Sequence, residues 1–170
     1  AREALEIARA SNKKLILAGI IQDEAYYHQH VEPHLDNDKA VYVGSAGPAQ
    51  RNQLLGKACA LLHPINFDEP FGLAVIESMA CGTPAIAFNK GSMPELIEHG
   101  KDGFLVSGCE EAVEHVARIQ YVDRSDCRRT VEDRFTVDRM VEKYLEVYTQ
   151  VLEEANKDLR TAKPLRTKHQ

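Results

Sequence analysis

No apolar run in this chain approaches the roughly 20 residues that a membrane-crossing helix needs, so no span is expected. Nothing in it resembles a secretory signal peptide. Excess positive charge is also lacking: 21 Lys and Arg against 26 Asp and Glu leave a formal charge of −5, with no electrostatic reason to expect nucleic acid as partner. Cysteine is sparse. Cys59, Cys81, Cys109 and Cys127 stand far apart with no C-x-x-C pair, which argues against a disulfide framework or a zinc ribbon and for reduced core thiols. No G-x-G-x-x-G follows a strand, which disfavours a nicotinamide dehydrogenase. Internal repeats and low-complexity linkers are absent. The expectation left standing is a cytoplasmic globular protein, with 170 residues being enough for one domain to bury its own core.

Short apolar runs alternate with helical patterns, the signature of β-α units around a mostly parallel sheet. Helices are expected over 1–10, over 23–34 with Asp23 as cap and Pro33 as stop, and over 49–57. Another follows Gly72, turning Val75, Ile76, Met79 and Ala80 inward and stopping at Gly82, and a short one follows Gly91. Further helices are expected over 110–122, 126–134 and 137–159, the last with an apolar stripe of Met140, Val141, Tyr144, Leu145, Tyr148 and Leu152. Strands are expected over 15–18, 40–43, 59–62, 84–88 and 104–106. The fold class is therefore α/β, Rossmann-like, with residues 1–159 as the domain and 160–170 as a disordered basic tail.

One feature of this order is irregular. A doubly wound domain opens on a strand that lies in the middle of its sheet, whereas this pattern opens on a helix. The first, central strand is thus expected to be missing, with strands 15–18 and 59–62 flanking an empty slot. Direct hydrogen bonding between those two strands would contradict that version.

The segment from His63 to Glu77 carries the chemistry. An apolar strand runs into a polar loop, which turns through Gly72 into a helix, with Glu69 and Glu77 eight positions apart around the turn. Open α/β sheets hold ligands beyond the carboxyl ends of their strands, facing helix N-termini whose free N–H groups suit phosphate. Carboxylates accept hydrogen bonds from sugar hydroxyls. Phosphate plus sugar suggests a nucleotide sugar. Two glutamates at this spacing can also be a helix-dipole acid and a solvated helix residue, so the surrounding sequence has to decide.

That surrounding sequence reads Glu69-Pro70-Phe71-Gly72-Leu73-x-x-x-Glu77-Ser78-Met79-Ala80-Cys81-Gly82-Thr83-Pro84. It continues with Gly91-x-x-Pro94-Glu95-Leu96-Ile97, then Gly100-x-x-Gly103-Phe104-Leu105-Val106, then Arg134-Phe135-Thr136. In order and spacing these motifs resemble the retaining, GT-B-fold glycosyltransferases of family four (glycosyl transferases group 1), over residues 15–152 and only in their C-terminal, donor-binding half.

The resemblance implies a role for each matching residue. Glu69 would be the catalytic carboxylate facing the donor sugar, and the backbone N–H groups of Phe71, Gly72 and Leu73 would line the sugar and pyrophosphate. Gly72, lacking a Cβ, would let the backbone approach closely. Glu77 would hold the ribose, and the base would lie over Val43, Gly44 and Ser45. The implied reaction transfers a sugar from a nucleoside diphosphate sugar, a UDP-sugar above others, to an acceptor with retention. No cofactor or metal is implied. His30 and His34 could share a helical face, yet no carboxylate or cysteine clearly completes a metal site around them.

Three residues keep two readings each. Glu95 is a helix-start acid or a ligand, Lys90 a surface lysine or a phosphate contact, and His63 a packed strand end or a donor contact. The family's Gly-Arg pair and Lys-Gly would fall before Ala1, and the N-terminal acceptor domain is unrepresented, so this chain is expected to be inactive alone. A phosphorylase or sugar-phosphate synthase of the same fold, or a non-catalytic nucleotide-sugar-binding subunit, are the alternatives.

Overall fold

The computed structural model describes residues 1–161, with side chains described through residue 157. The chain forms two compact units that divide between Asp133 and Arg134.

In the first unit α1 (Arg2–Ala10) buries Leu5, Ile7 and Ala8 and leads to β1 (Leu15–Leu17). Next come α2 (Glu24–His30), β2 (Ala40–Tyr42), α3 (Pro48–Lys57) and β3 (Leu61–His63). Then follow α4 (Leu73–Ala80), β4 (Ala85–Phe88), α5 (Met93–Leu96) and β5 (Gly103–Val106). Helices α6 (Cys109–Val116) and α7 (Arg124–Arg134) complete the alternation. Every ladder is parallel, as β-α-β crossovers require.

The strands form two sheets, β1-β2 and β3-β4-β5. No ladder joins β1 to β3 among the described residues, so the direct pairing that would contradict the expected slot is absent. Burial follows from that absence. All four residues of β4, paired on both sides, are buried, whereas β3 is half-buried along its length and Ile16 of β1 is 45% exposed. Each of β1 and β3 therefore offers unpaired backbone groups along one edge.

Several boundaries move for identifiable reasons. The helix expected over 23–34 is capped by Asp23, whose carboxylate accepts from the Tyr26 N–H at 2.9 Å, but it ends at His30. Val31 is its C-cap, with φ −119° and ψ −60°, and a single 3₁₀ turn, Glu32–His34, contains Pro33. The strand expected over 59–62 begins at Leu61, because the Ala58 N–H still donates to the Leu54 carbonyl of α3. The helix expected over 110–122 ends at Val116 and a 3₁₀ turn, Ile119–Tyr121, follows it. On α4 the buried residues are Val75, Ile76, Met79 and Ser78; Ala80 is half-buried, and the Ser78 hydroxyl donates to the Thr83 carbonyl at 2.9 Å.

Two polar anchors hold the unit together. Fully buried Asp102 accepts from the Glu98 N–H and from the Thr130 hydroxyl, both at 2.8 Å, tying α7 to the turn before β5. Arg124 donates to the Ala58 and Gly56 carbonyls at 2.8 and 2.9 Å and to the Thr83 hydroxyl oxygen at 2.7 Å. It thereby satisfies carbonyls that the end of α3 leaves without helical partners.

In the second unit α8 (Val137–Thr161) is opened by Thr136, whose hydroxyl accepts from the Arg139 N–H at 3.3 Å. Its stripe of Met140, Val141, Tyr144, Leu145, Tyr148 and Leu152 is exposed. No helix among the described residues is long and apolar enough to cross a membrane. Of the tail expected over 160–170, the first two residues continue α8 and the rest lies outside the described residues.

Candidate functional site

The carboxyl ends of β3 and β4 bring two loops together. Residues 64–72 leave β3 and residues 89–92 leave β4, and four contacts lock them. The Ser92 N–H donates to the Glu69 carbonyl at 2.9 Å, and the Ser92 hydroxyl donates to the Phe71 carbonyl at 2.7 Å. The Gly91 N–H donates to the Asp68 carboxylate at 3.2 Å, and the Lys90 ammonium to the Asn66 carbonyl at 3.2 Å.

Gly91 adopts φ +53°, and a Cβ built there would stand 2.5 Å from the Glu69 nitrogen. The glycine is thus what lets the backbone of Glu69 rest on this turn. Lys90 accordingly has a structural contact on the crevice loop, and Ser92, which the sequence reading passed over, is a central brace.

Glu69 is half-buried, and its carboxylate makes no hydrogen bond or ion pair among the described residues. Gly72 caps α4 in left-handed geometry, φ +95°, with no side chain capping the first turn. Its missing Cβ also leaves room within the chain itself. A Cβ there would come within 2.6 Å of the Met93 methyl and 3.2 Å of Leu96, so Gly72 admits the chain's own α5. Phe71 and Leu73, on either side, are exposed, as is Phe67.

Glu77, the fifth residue of α4, is held by a residue the sequence reading missed. Arg51 of α3 pairs with it, Nη2 to Oε1 at 3.0 Å. The available signal was a lone arginine one turn into the helix that follows the β2 loop. That loop carries Val43, Gly44 and Ser45. The Val43 N–H donates to the Leu17 carbonyl at 3.0 Å and the Gly44 carbonyl accepts from the Gly19 N–H at 2.9 Å, fastening it to the end of β1. The structure therefore joins Glu69, Phe71, Gly72 and Leu73 through one braced turn and joins Glu77 to α3.

His63 closes β3 with its Nε2 buried and without a partner among the described residues. Burial pushes its pKa below the ordinary 6.5, and the nearby Glu69 charge opposes that only in part. A neutral imidazole near an unpaired carboxylate results.

Among the described residues no group of three or more His, Cys, Asp or Glu is placed to hold a metal. His28 is instead committed to Glu32 at 2.7 Å. One Asp-x-Asp triplet, Asp36-Asn37-Asp38, does occur, a pattern that can serve divalent metals and that the sequence reading overlooked. Here the Asp36 carboxylate accepts the N–H groups of Asp38, Lys39 and Ala40 at 3.0, 2.7 and 2.9 Å, and those bonds hold its pKa below the usual range. Asn37 between them takes φ +59°, so the triplet builds a turn.

Against known proteins, residues 1–131 match the family described as Glycosyl transferases group 1. The chain belongs to this family. Its fold matches half of a GT-B glycosyltransferase, the C-terminal portion. AviGT4, a glycosyltransferase involved in avilamycin A biosynthesis, superposes with a TM-score of 0.76 at 23% identity, over 91% of this chain and 48% of its own. Anabaena Alr3699/HepE, crystallised with UDP-glucose, superposes with a TM-score of 0.73 at 21% identity, over 87% and 44%. In sequence, the GDP-Man:Man(3)GlcNAc(2)-PP-Dol alpha-1,2-mannosyltransferase of Dictyostelium discoideum is 29% identical over 147 residues, 79% of this chain and 29% of that protein. The chain thus spans less than a third of this curated relative and under half of these solved chains.

Proposed function

We propose that this chain is the donor-binding domain of a retaining glycosyltransferase that moves a sugar from a nucleoside diphosphate sugar, with UDP-sugar as the first candidate. The observation that carries this reading is the braced turn. It fixes the backbone of Glu69, whose carboxylate makes no hydrogen bond or ion pair among the described residues, just before a helix N-terminus that no side chain caps. A helix start of that kind favours phosphate oxygens, and a carboxylate beside it can accept from sugar hydroxyls.

In this reading Glu69 contacts the donor sugar, and the N–H groups of Phe71, Gly72 and Leu73 line the sugar and pyrophosphate. Glu77 receives the ribose hydroxyls, and the turn at Val43, Gly44 and Ser45 meets the base. Charge developing on the leaving diphosphate needs cationic partners for turnover. The acceptor wall lies in the other half of a GT-B fold, so the activity that these residues themselves would supply is donor binding. HepE with UDP-glucose supports a uridine donor, while the GDP-Man named for the Dictyostelium relative supports testing guanosine as well.

Calorimetric titration with UDP, GDP, ADP and their glucose conjugates, carried to millimolar ligand, tests the proposal. One nucleotide should bind, and Glu77→Ala should abolish that binding. No heat with any of the three nucleotides refutes it.

A further inference from the structure

The Arg51–Glu77 pair connects two segments that the proposed function assigns to different parts of one ligand. Arg51 lies on α3, the helix that follows the base loop, and Glu77 lies on α4, the helix that follows the sugar loop. Their charged groups meet at 3.0 Å, with side chains 42% and 33% exposed. An exposed pair of this sort is ordinarily free to drift and adds little. Here the Nε of Arg51 is buried and has no partner among the described residues. Burying an unpaired N–H is costly, and the opposite charge of Glu77 at 3.0 Å is a favourable contact that offsets part of that cost. The attraction between the two opposite charges draws the Glu77 carboxylate toward α3 and so restricts where it can lie.

Only one oxygen of Glu77 is taken by the arginine. A carboxylate has about four lone-pair sites, so acceptor capacity remains for a pair of vicinal hydroxyls. We propose that Arg51 is a positioning residue that holds the Glu77 carboxylate in the orientation that receives the ribose hydroxyls of a nucleoside diphosphate. This rests on the donor-binding reading above. Arg51 acts through Glu77 and does not itself touch the ligand.

The test uses the full chain carrying Arg51→Gln, Arg51→Lys, Glu77→Gln and the Arg51→Gln/Glu77→Gln pair. Each is titrated with UDP and with 2′,3′-dideoxy-UDP, or with GDP and its dideoxy analogue if GDP is the tighter binder. Thermal melts of each variant run alongside. Arg51→Gln should weaken the ribonucleotide by about 5- to 20-fold, the scale of losing one charge-assisted orientation. The dideoxy analogue, which has no ribose hydroxyls to report on Glu77, should bind Arg51→Gln and the unsubstituted chain alike. The double variant should bind no more weakly than Glu77→Gln alone, and Arg51→Lys should recover part of the loss.

Equal weakening of both ligands, or losses that add in the double variant, overturn the proposal, since Arg51 would then contact ligand or merely support the fold. Unchanged ribonucleotide binding by Arg51→Gln overturns it as well. If the unsubstituted chain binds no nucleoside diphosphate, the donor-binding reading fails and takes this inference with it. Binding by the unsubstituted chain without the ribose-dependent pattern sinks only the role of Arg51.

Discussion

Replacing Gly91 by alanine probes the braced turn most directly, because the added methyl group has nowhere to go. Its Cβ would lie 2.5 Å from the Glu69 nitrogen, 2.6 Å from the Glu69 oxygen and 2.8 Å from the Asp68 carbonyl carbon. All three are backbone atoms, so no flexible side-chain end can swing aside. The backbone itself sits at φ +53°, which costs a non-glycine residue about 1 kcal/mol. Forcing a methyl group into filled space costs about 1–3 kcal/mol more. The sum is a destabilisation of roughly 2–4 kcal/mol, a large share of the stability of an ordinary domain.

A control separates the two parts of that sum. Gly100 has φ +85°, yet a Cβ there would meet nothing within 4 Å. Gly100→Ala should therefore cost only the conformational part, about 1 kcal/mol. Urea unfolding of both variants, followed by circular dichroism, gives the comparison. Gly91→Ala should also weaken nucleotide binding beyond what its stability loss explains, because the shifted atoms belong to Glu69. If the two variants unfold within about 0.5 kcal/mol of each other, the loops are not locked as described and the reasoning fails.

Two further outcomes follow from titrating groups. Burial pushes the Cys127 thiol up to about 12, so it should resist thiol reagents at pH 8 until the chain unfolds, whereas exposed Cys59 should react at once. Rapid labelling of Cys127 in the native protein would contradict its placement. His63 has a folded pKa below its unfolded value, so the unfolded chain binds more protons between those two values. Stability should therefore rise with pH across that window and be lost on acidification below about 6.5. His28, held above its ordinary value by Glu32, acts in the opposite sense, so the contribution of His63 is read as a difference. Melting temperatures between pH 5 and 7 should fall less steeply with acid in His63→Gln than in the unsubstituted chain; parallel curves would show that burial of this imidazole carries no weight.

The amino-acid sequence by itself determined the order of helices and strands, the parallel pairing, and the resemblance of residues 15–152 to a glycosyltransferase family. Those features are local or nearly so. Alternating apolar runs, the Asp23 cap and the glycine turns act over a few residues, where periodicity and propensity suffice. That β1 and β3 do not pair directly was also legible, because a doubly wound sheet fixes which strand belongs in its middle.

Tertiary structure alone decided what surrounds each site residue. Nothing near Gly72 in the chain announces that the ends of Met93 and Leu96 lie where its Cβ would be. Nothing near Glu77 announces Arg51, which is twenty-six positions earlier and becomes a partner only when α3 packs beside α4. The Asp-x-Asp triplet shows the converse, for a pattern suited to metal is spent on three backbone N–H groups of its own turn. Short-range patterns specify elements. Which side chains meet depends on how elements pack, and packing brings together residues whose separation in sequence carries no signal of the contact.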